Sequence, residues 1–489
     1  MLLSRLAGAL VVIAVTVMSL NVVLHEDTQA NSSEELAIAA EYPKSTAELV
    51  RLAMAGGFPP ASSERTANGN AWAKGKDKKG GPNATTTTSA SATTAPTVAA
   101  SSTTSLATTT STTAATTTTK AAATTTSAAT LAGVVVAPGV DIQSLVSSHP
   151  AGTVFVIKAG VHRRQRVVPK DGMVFVGEPG AVLDGERVVD RAFSGGASNV
   201  TLQGLIIENY VPGAQQSAVG QAGNNWIVRD NEIRLISGIG LHAGQGSGWL
   251  VENNYIHHNG QLGVASQGRN MVFVGNTIAF NNTEGYDARW EAGGGKFLHT
   301  TGLVLRDNHV HDNKGPGLWT DSNNVDCLYE GNLVERNTHE GIFHEISYDC
   351  VIRNNTVRDN AKTGIWIAGS SNVEVVGNVV TNNLQGGISG SQDPRGSGTL
   401  GPYEIRNLNV HHNTITQLKV PSDSFWGWSG IQQQTNDPSI FTSKGNLFHD
   451  NTWVVASGIA KPFKWADQRV TWDQWRNYGH DTTGTFTYR

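Results

Sequence analysis

From Val134 to the C-terminus, short runs of alternating apolar and polar residues are separated by turn residues. That period of two marks strands with one buried face. The runs recur in the form apolar-x-apolar-x-x-Asn-x-(Ile/Val), with the Asn at positions 231, 254, 276, 308, 332, 355, 378, 413 and 446. Successive spacings are 23, 22, 32, 24, 23, 23, 35 and 33 residues. Five positions before each reference Asn stands a bulky or apolar residue, from Trp226 and Trp249 through Cys327 and Cys350 to Leu408 and Phe441. Three before stand Val228, Val251, Phe273, Leu305, Tyr329, Ile352, Val375 and Val410, while Arg229, Glu252, Arg306 and Glu330 occupy the other parity. Nine after comes Gly240, Gly263, Gly285, Gly317, Gly341, Gly364 and Gly387, and a second Asn lies five after in seven coils, from Asn259 to Asn451. Self-similarity at this period predicts a parallel β-solenoid in which equivalent residues stack about 4.8 Å apart. The Asn rows then predict ladders: a turn Asn tolerates left-handed dihedrals, and its amide reaches the Asn of the next coil.

An open rung is an unpaired edge, so the ends need covering. Asp141 before Ile142–Val146 reads as an N-capped short helix able to lid the first coil. The strands Thr153–Ile157, Met173–Val176 and Ala181–Gly185 follow it. These residues resemble the right-handed parallel β-helix family of pectate lyases, polygalacturonases and secreted bacterial β-helix repeat proteins. The expected fold is all-β, a right-handed parallel β-helix of about twelve coils with an N-terminal capping helix, over 134–489. Cys327 and Cys350 share one inward position on neighbouring coils. They read as a reduced pair filling core, since free Cys behaves as a small hydrophobe, although a disulfide is geometrically open. No Cys-His spacing typical of zinc is present, and no metal ligands are assigned.

Upstream the texture changes. Leu6 to Leu24 carries no charge and follows Arg5, a signal-peptide core or a membrane anchor, so 1–30 reads as leader or anchor. Residues 31–83 are poor in apolar side chains, and 84–133 is almost wholly Thr, Ser and Ala, a spacer that cannot offset its ordering entropy. The acidic flank His25-Glu26-Asp27 orients the remainder outward, so a secreted or membrane-anchored extracytoplasmic protein is expected. Lys and Arg number 36 against 40 Asp and Glu, a formal net charge of −4, which offers no field for a nucleic-acid backbone. A monomer is expected.

Candidate chemistry lies on the strand after the repeat Gly. Eleven residues after the reference Asn, counting gives His242, Ala265, Asp287, Trp319, Phe343, Trp366 and Ser389; thirteen after gives Gly244, Gln267, Arg289, Asp321, Glu345, Ala368 and Ser391. Three aromatic rings on consecutive rungs would form a flat strip bordered by two carboxylates and a guanidinium. Carboxylates one rung apart repel, so one should stay protonated or both should hold a cation. A separation of about 5 Å also suits the acid and nucleophile of a retaining glycosidase. The segment Trp290–His299 reads as an inserted mobile Gly loop carrying Glu291, Lys296 and His299. A Lys beside a carboxylate-held cation would suit β-elimination from a uronic acid. Predicted catalytic residues are Asp321, Glu345 and Lys296. Predicted substrate contacts are Asp287, Arg289, Glu291, Trp319, Phe343, Trp366 and, despite a parity that reads as core, His344.

The segments Glu291–Lys296, Gly317–Asp321 and Gly341–Tyr348, with the tail Phe463–Asp481, are similar to those of a secreted β-helix branch for which glycosidase activity is suspected. That resemblance implies a polysaccharide partner and points to Asp321 and Glu345. Three readings stay open: hydrolysis of a glycosidic bond with no cofactor, calcium-dependent lysis or epimerisation of uronic acids, and a non-catalytic cell-surface glycan binder.

Overall fold

The computed structural model describes residues 132–420 and 428–489. The leader or anchor, the 31–83 segment and nearly all of the Thr/Ser/Ala spacer fall outside the described residues. Among the described residues no helix is long and apolar enough to cross a membrane.

Alternation becomes three long sheets wound around one core. The first holds 13 strands from Val134–Val136 to Leu447–His449, and the second 13 from Gly160–Arg163 to Thr485–Tyr488. The third holds 12, from Phe193–Gly195 through Phe463–Trp465 to Gln468–Val470. Strands within each sheet pair in parallel with their counterparts one coil away. The final pair of the third sheet, Phe463–Trp465 with Gln468–Val470, runs antiparallel. Inward residues stack coil on coil, as in Trp226 on Trp249 with ring centroids 4.8 Å apart and planes 7° apart. The three-residue strands Ile227–Arg229 and Glu232–Arg234 bury only their middle residue, Val228 and Ile233, as the parity requires. Helix Ile142–Ser148 forms as expected: the Asp141 carboxylate accepts from the Gln143 N–H at 3.1 Å, and Ile142 and Val146 join the core.

The Asn ladder is continuous from Asn231 to Asn413, each Nδ2 donating to the next Oδ1 at 2.9–3.0 Å. A second runs from Asn259 to Asn383 at the same distances. Each amide is buried, so every donor and acceptor it brings inside must be met. The left-handed residue proves to be the one before the reference Asn rather than the Asn itself: Asp230, Asn253, Gly275, Asp307, Gly331 and Asn354 all have φ between 53° and 67°. There the chain turns, and the Asn that follows is free to point into the stack.

The last coil corrects the predicted register. Asn413 donates to Asn451 Oδ1 at 3.0 Å, so Asn451 is the ladder residue. Asn446 sits five positions earlier, its Oδ1 accepting from the Leu408 N–H at 3.0 Å. Asn451 in turn donates to Asp481 Oδ1 at 2.9 Å, and Asp481 Oδ2 accepts from the indole N–H of Trp453 and of Trp475, both at 2.9 Å. A carboxylate needs no acceptor of its own, so it closes the row.

Cys327 and Cys350 do pair in register, with a Cα–Cα distance of 4.6 Å, and are joined as a disulfide instead of the expected reduced pair. That Cα separation between neighbouring rungs falls inside the range that a disulfide spans.

Candidate active site

The third sheet carries the candidate chemistry, and its register corrects the count through the long coil after Asn276. Gly285 lies outside the glycine row; Gly294 takes its place, stacked between Gly263 and Gly317. Strand Gly293–Leu298 therefore pairs Lys296 with Ala265 on one side and with Trp319 on the other. Lys296 is a strand residue, buried, and not part of a mobile loop. Asp287 and Arg289, placed on the outer face by counting, lie exposed in the 282–292 loop. The Asp287 carboxylate caps a turn there, accepting from the Arg289 N–H at 2.9 Å.

The next three rungs agree with the sequence. Trp319 pairs with Phe343 and Phe343 with Trp366, while Asp321 pairs with Glu345. The rings stack with centroids 5.2 and 4.5 Å apart. They do not form an open strip: Trp319 and Phe343 are buried and only Trp366 is half-buried, its indole N–H donating to Ser391 Oγ at 2.9 Å. The Lys296 ammonium lies 3.6 Å from the Trp319 ring centroid, extending the stack by one rung. A desolvated cation over an indole face gains from the ring quadrupole.

Lys296 Nζ also sits 2.9 Å from Asp321 Oδ2 and donates to the Trp290 carbonyl. Asp321 keeps 16% of its side chain exposed, so this pair opens onto solvent. Glu345 is buried beside it. Burial, then the Asp321 charge, push the Glu345 carboxyl up to about 7, against the opposing charges of Arg395 and Lys296. Glu291, half-buried, is also raised by burial, offset by the Lys296 charge; its Oε2 accepts from Gln215 Nε2 and, at 3.2 Å, from Gln261 Nε2.

His344 lies inside the solenoid and does not reach the outer face. Its Nδ1 is 2.7 Å from Thr320 Oγ1, which accepts from the Tyr329 hydroxyl at 2.8 Å, and 3.7 Å from Cys327 Sγ. Burial lowers it to about 3. Cys327, His344 and Cys350 form the one His/Cys/carboxylate cluster among the described residues compact enough to suggest a metal, and there the two sulfurs are already bonded to each other.

Arg395 is the residue that sequence reasoning missed. It lies in an insertion after strand Ile388–Gln392, and its Nη2 meets Glu345 Oε1 at 2.6 Å. The insertion includes a short antiparallel pair, Ser397–Gly398 with Gly401–Pro402. It is tied to the turn after Asp321 and to the first residue of the strand Tyr348–Arg353 after Glu345. The Thr399 N–H donates to Asn323 Oδ1 at 2.8 Å, the Gly398 N–H donates to the Tyr348 hydroxyl at 3.0 Å, and that hydroxyl donates to the Gly401 carbonyl at 2.7 Å. The available signal was the 35-residue spacing from Asn378 to Asn413, twelve above the usual 23.

A family described as a right-handed β-helix region matches residues 217–380 and 349–461, together just over half of the chain. The chain belongs to the right-handed β-helix family. No curated protein sequence matches it. Among solved structures, the A-module of the Azotobacter vinelandii mannuronan C-5 epimerase AlgE6 aligns over 71% of this chain and 92% of its own, at 15% identity and a TM-score of 0.48. The Dettilon tailspike protein aligns over 66% of each chain at 16% identity and a TM-score of 0.42. PfbA, a surface adhesin of Streptococcus pneumoniae, covers 66% of this chain and 87% of its own at 12% identity and a TM-score of 0.42. At these scores the likenesses carry no argument about chemistry, because one β-helix scaffold serves many reactions.

Proposed function

We propose that this β-helix protein acts outside the cytoplasm, secreted or held by its N-terminal segment, and hydrolyses a glycosidic bond in a polysaccharide. The observation that carries the reading is the unequal setting of two carboxyls on neighbouring rungs, one held against an ammonium and the other buried. Asp321 faces the Lys296 ammonium, while burial and the Asp321 charge raise Glu345 toward neutrality. A carboxyl paired with an ammonium beside a buried acid whose proton is held more tightly is the division of labour glycoside cleavage needs. In this mechanism Glu345 gives its proton to the leaving glycosidic oxygen as Asp321 attacks the anomeric carbon. Water, deprotonated by Glu345, then releases the sugar from Asp321. Neighbouring strands lie about 4.8 Å apart, close to the ~5–5.5 Å carboxyl separation of retaining enzymes. Lys296 orients Asp321, and the exposed edge of Trp366 offers a surface for a sugar ring.

A calcium-dependent lyase or epimerase is the second enzymatic reading. With Glu291, Asp321 and Glu345 as ion ligands and Lys296 as base, it is less favoured because Lys296 and Arg395 already stand against Asp321 and Glu345. Asp321→Asn and Glu345→Gln should each abolish release of reducing ends from a glycan panel while the fold persists. Turnover retained in either variant removes the assignment. Activity lost in chelator, with an unsaturated uronate product, would instead favour the lyase. Glycan binding without product would favour the binder.

A further inference from the structure

The insertion carrying Arg395 is built around the carboxyl pair. Its anchors, Asn323 and Tyr348, stand two residues after Asp321 and three after Glu345, so the insertion is docked to both rungs that carry the proposed acid and nucleophile. Docking is close: a Cβ on Gly398 would lie 2.1 Å from Asn323 Oδ1 and 2.5 Å from the Tyr348 hydroxyl. From this platform the guanidinium reaches back to Glu345, yet 37% of the Arg395 side chain remains exposed. It is the charged group that touches both Glu345 and solvent. Around Glu345 stand Asp321 and Lys296 on the two preceding rungs of the sheet, the uncharged Ala368 on the next, and Arg395 on the insertion; Asp393 lies 3.8 Å from Arg395, and the Asp321 charge reaches the Tyr403 hydroxyl.

We infer that Arg395 couples recognition of a negatively charged sugar to the proton on Glu345: a carboxylate or sulfate of the glycan takes the guanidinium, and Glu345, released from it, holds its proton until transfer. The inference rests on the acid role proposed for Glu345 and adds a specificity-determining and positioning residue to it. The physical basis is competition. One guanidinium fork satisfies one oxyanion well, and an incoming anion that accepts the fork removes a cation from Glu345. A carboxyl that loses a neighbouring cation binds its proton more tightly. Neutral glycans leave the Arg395–Glu345 pair closed, with the acid partly ionised and the site covered.

Two readouts test this without requiring turnover. The first is affinity electrophoresis of the full chain through polygalacturonate against its methyl ester, and through dextran sulfate against dextran. Wild type should be retarded about tenfold to a hundredfold more strongly by the charged member of at least one pair. Arg395→Gln should erase that preference, and Arg395→Lys should restore part of it. Which pair responds separates a carboxylate from a sulfate ligand. The second is the Glu345 titration, followed by carboxyl-labelled NMR. Its midpoint should rise by about one pH unit in Arg395→Gln and rise likewise when the preferred anionic glycan binds wild type. Equal retardation by both members of both pairs, a preference kept by Arg395→Gln, or a Glu345 midpoint unmoved by that substitution would overturn the inference. Charge preference and a moving midpoint with no cleaved glycan would uphold this coupling and remove hydrolysis instead.

Discussion

Replacing Glu345 by Gln should stabilise the protein at neutral and alkaline pH and leave it unchanged in acid. Glu345 moves from an ordinary 4.5 to about 7 on folding, a gap of 2.5 pH units, chiefly through burial. At about 1.36 kcal/mol per unit this amounts to about 3 kcal/mol. Below pH 4.5 the folded and unfolded chains both hold the proton, and the site costs nothing. Between pH 4.5 and 7 the unfolded chain releases the proton while the folded chain keeps it, so stability declines as pH rises. Above pH 7 the penalty is complete. Glutamine has no charge to desolvate and no repulsion with Asp321, while the exposed flank of Arg395 returns to water. Urea unfolding followed by Trp fluorescence should therefore place Glu345→Gln about 2–3 kcal/mol above wild type at pH 8 and level with it at pH 4. A difference that is equal at the two pH values, or one that shrinks toward pH 8, would refute the reasoning.

The kcat/KM for whichever glycan proves to be the substrate should fall as pH rises through about 7, since it reports the acid form of Glu345 in the free protein; a kcat/KM profile still rising at pH 8 would contradict that role. Lys296→Met should lose about 3–5 kcal/mol in denaturant unfolding by leaving Asp321 without its partner. Adding Asp321→Asn should recover most of that loss, which a double-mutant cycle reads directly. Asn332→Leu should cost about 3 kcal/mol in the same unfolding assay, because Asn332 Oδ1 accepts from both the backbone N–H and the Nδ2 of Asn308. A loss below about 1 kcal/mol would mean that the ladder is ornamental to stability.

Much of this architecture was written in spacing. The Asn period located the coils, and parity alone placed Trp319, Phe343 and Trp366 in one row and Asp321 beside Glu345. Counting failed where the chain was longer than its coil. From Asn276 the next reference residue is 32 positions away instead of 23, and the nine surplus residues precede the glycine row, so Gly294 replaces Gly285 and Lys296 replaces Asp287. Since an insertion can leave a coil at any corner, spacing gives its length and not its place. The last coil failed differently. Asn446 and Asn451 both sit in a suitable local frame, five apart as in other coils, and only the strand partners of Val410 and Thr414 choose between them. Arg395 was illegible because its partner is fifty residues away across an insertion with no periodicity. The bond between Cys327 and Cys350 was likewise beyond spacing, which sets two sulfurs side by side without saying whether they join.

Asp481 has a consequence for assembly. A stack of amides is self-propagating, since each rung presents the same pattern it received and could recruit another chain's rung in turn. An acceptor-only residue breaks that recursion: it receives from Asn451 and offers nothing onward, while its second oxygen is taken by the two buried indoles of Trp453 and Trp475. Within that row of amides Asp481 is a stop, beside the antiparallel strand Gln468–Val470 that ends the third sheet. A chain cut before this residue should expose a live end and lengthen into filaments.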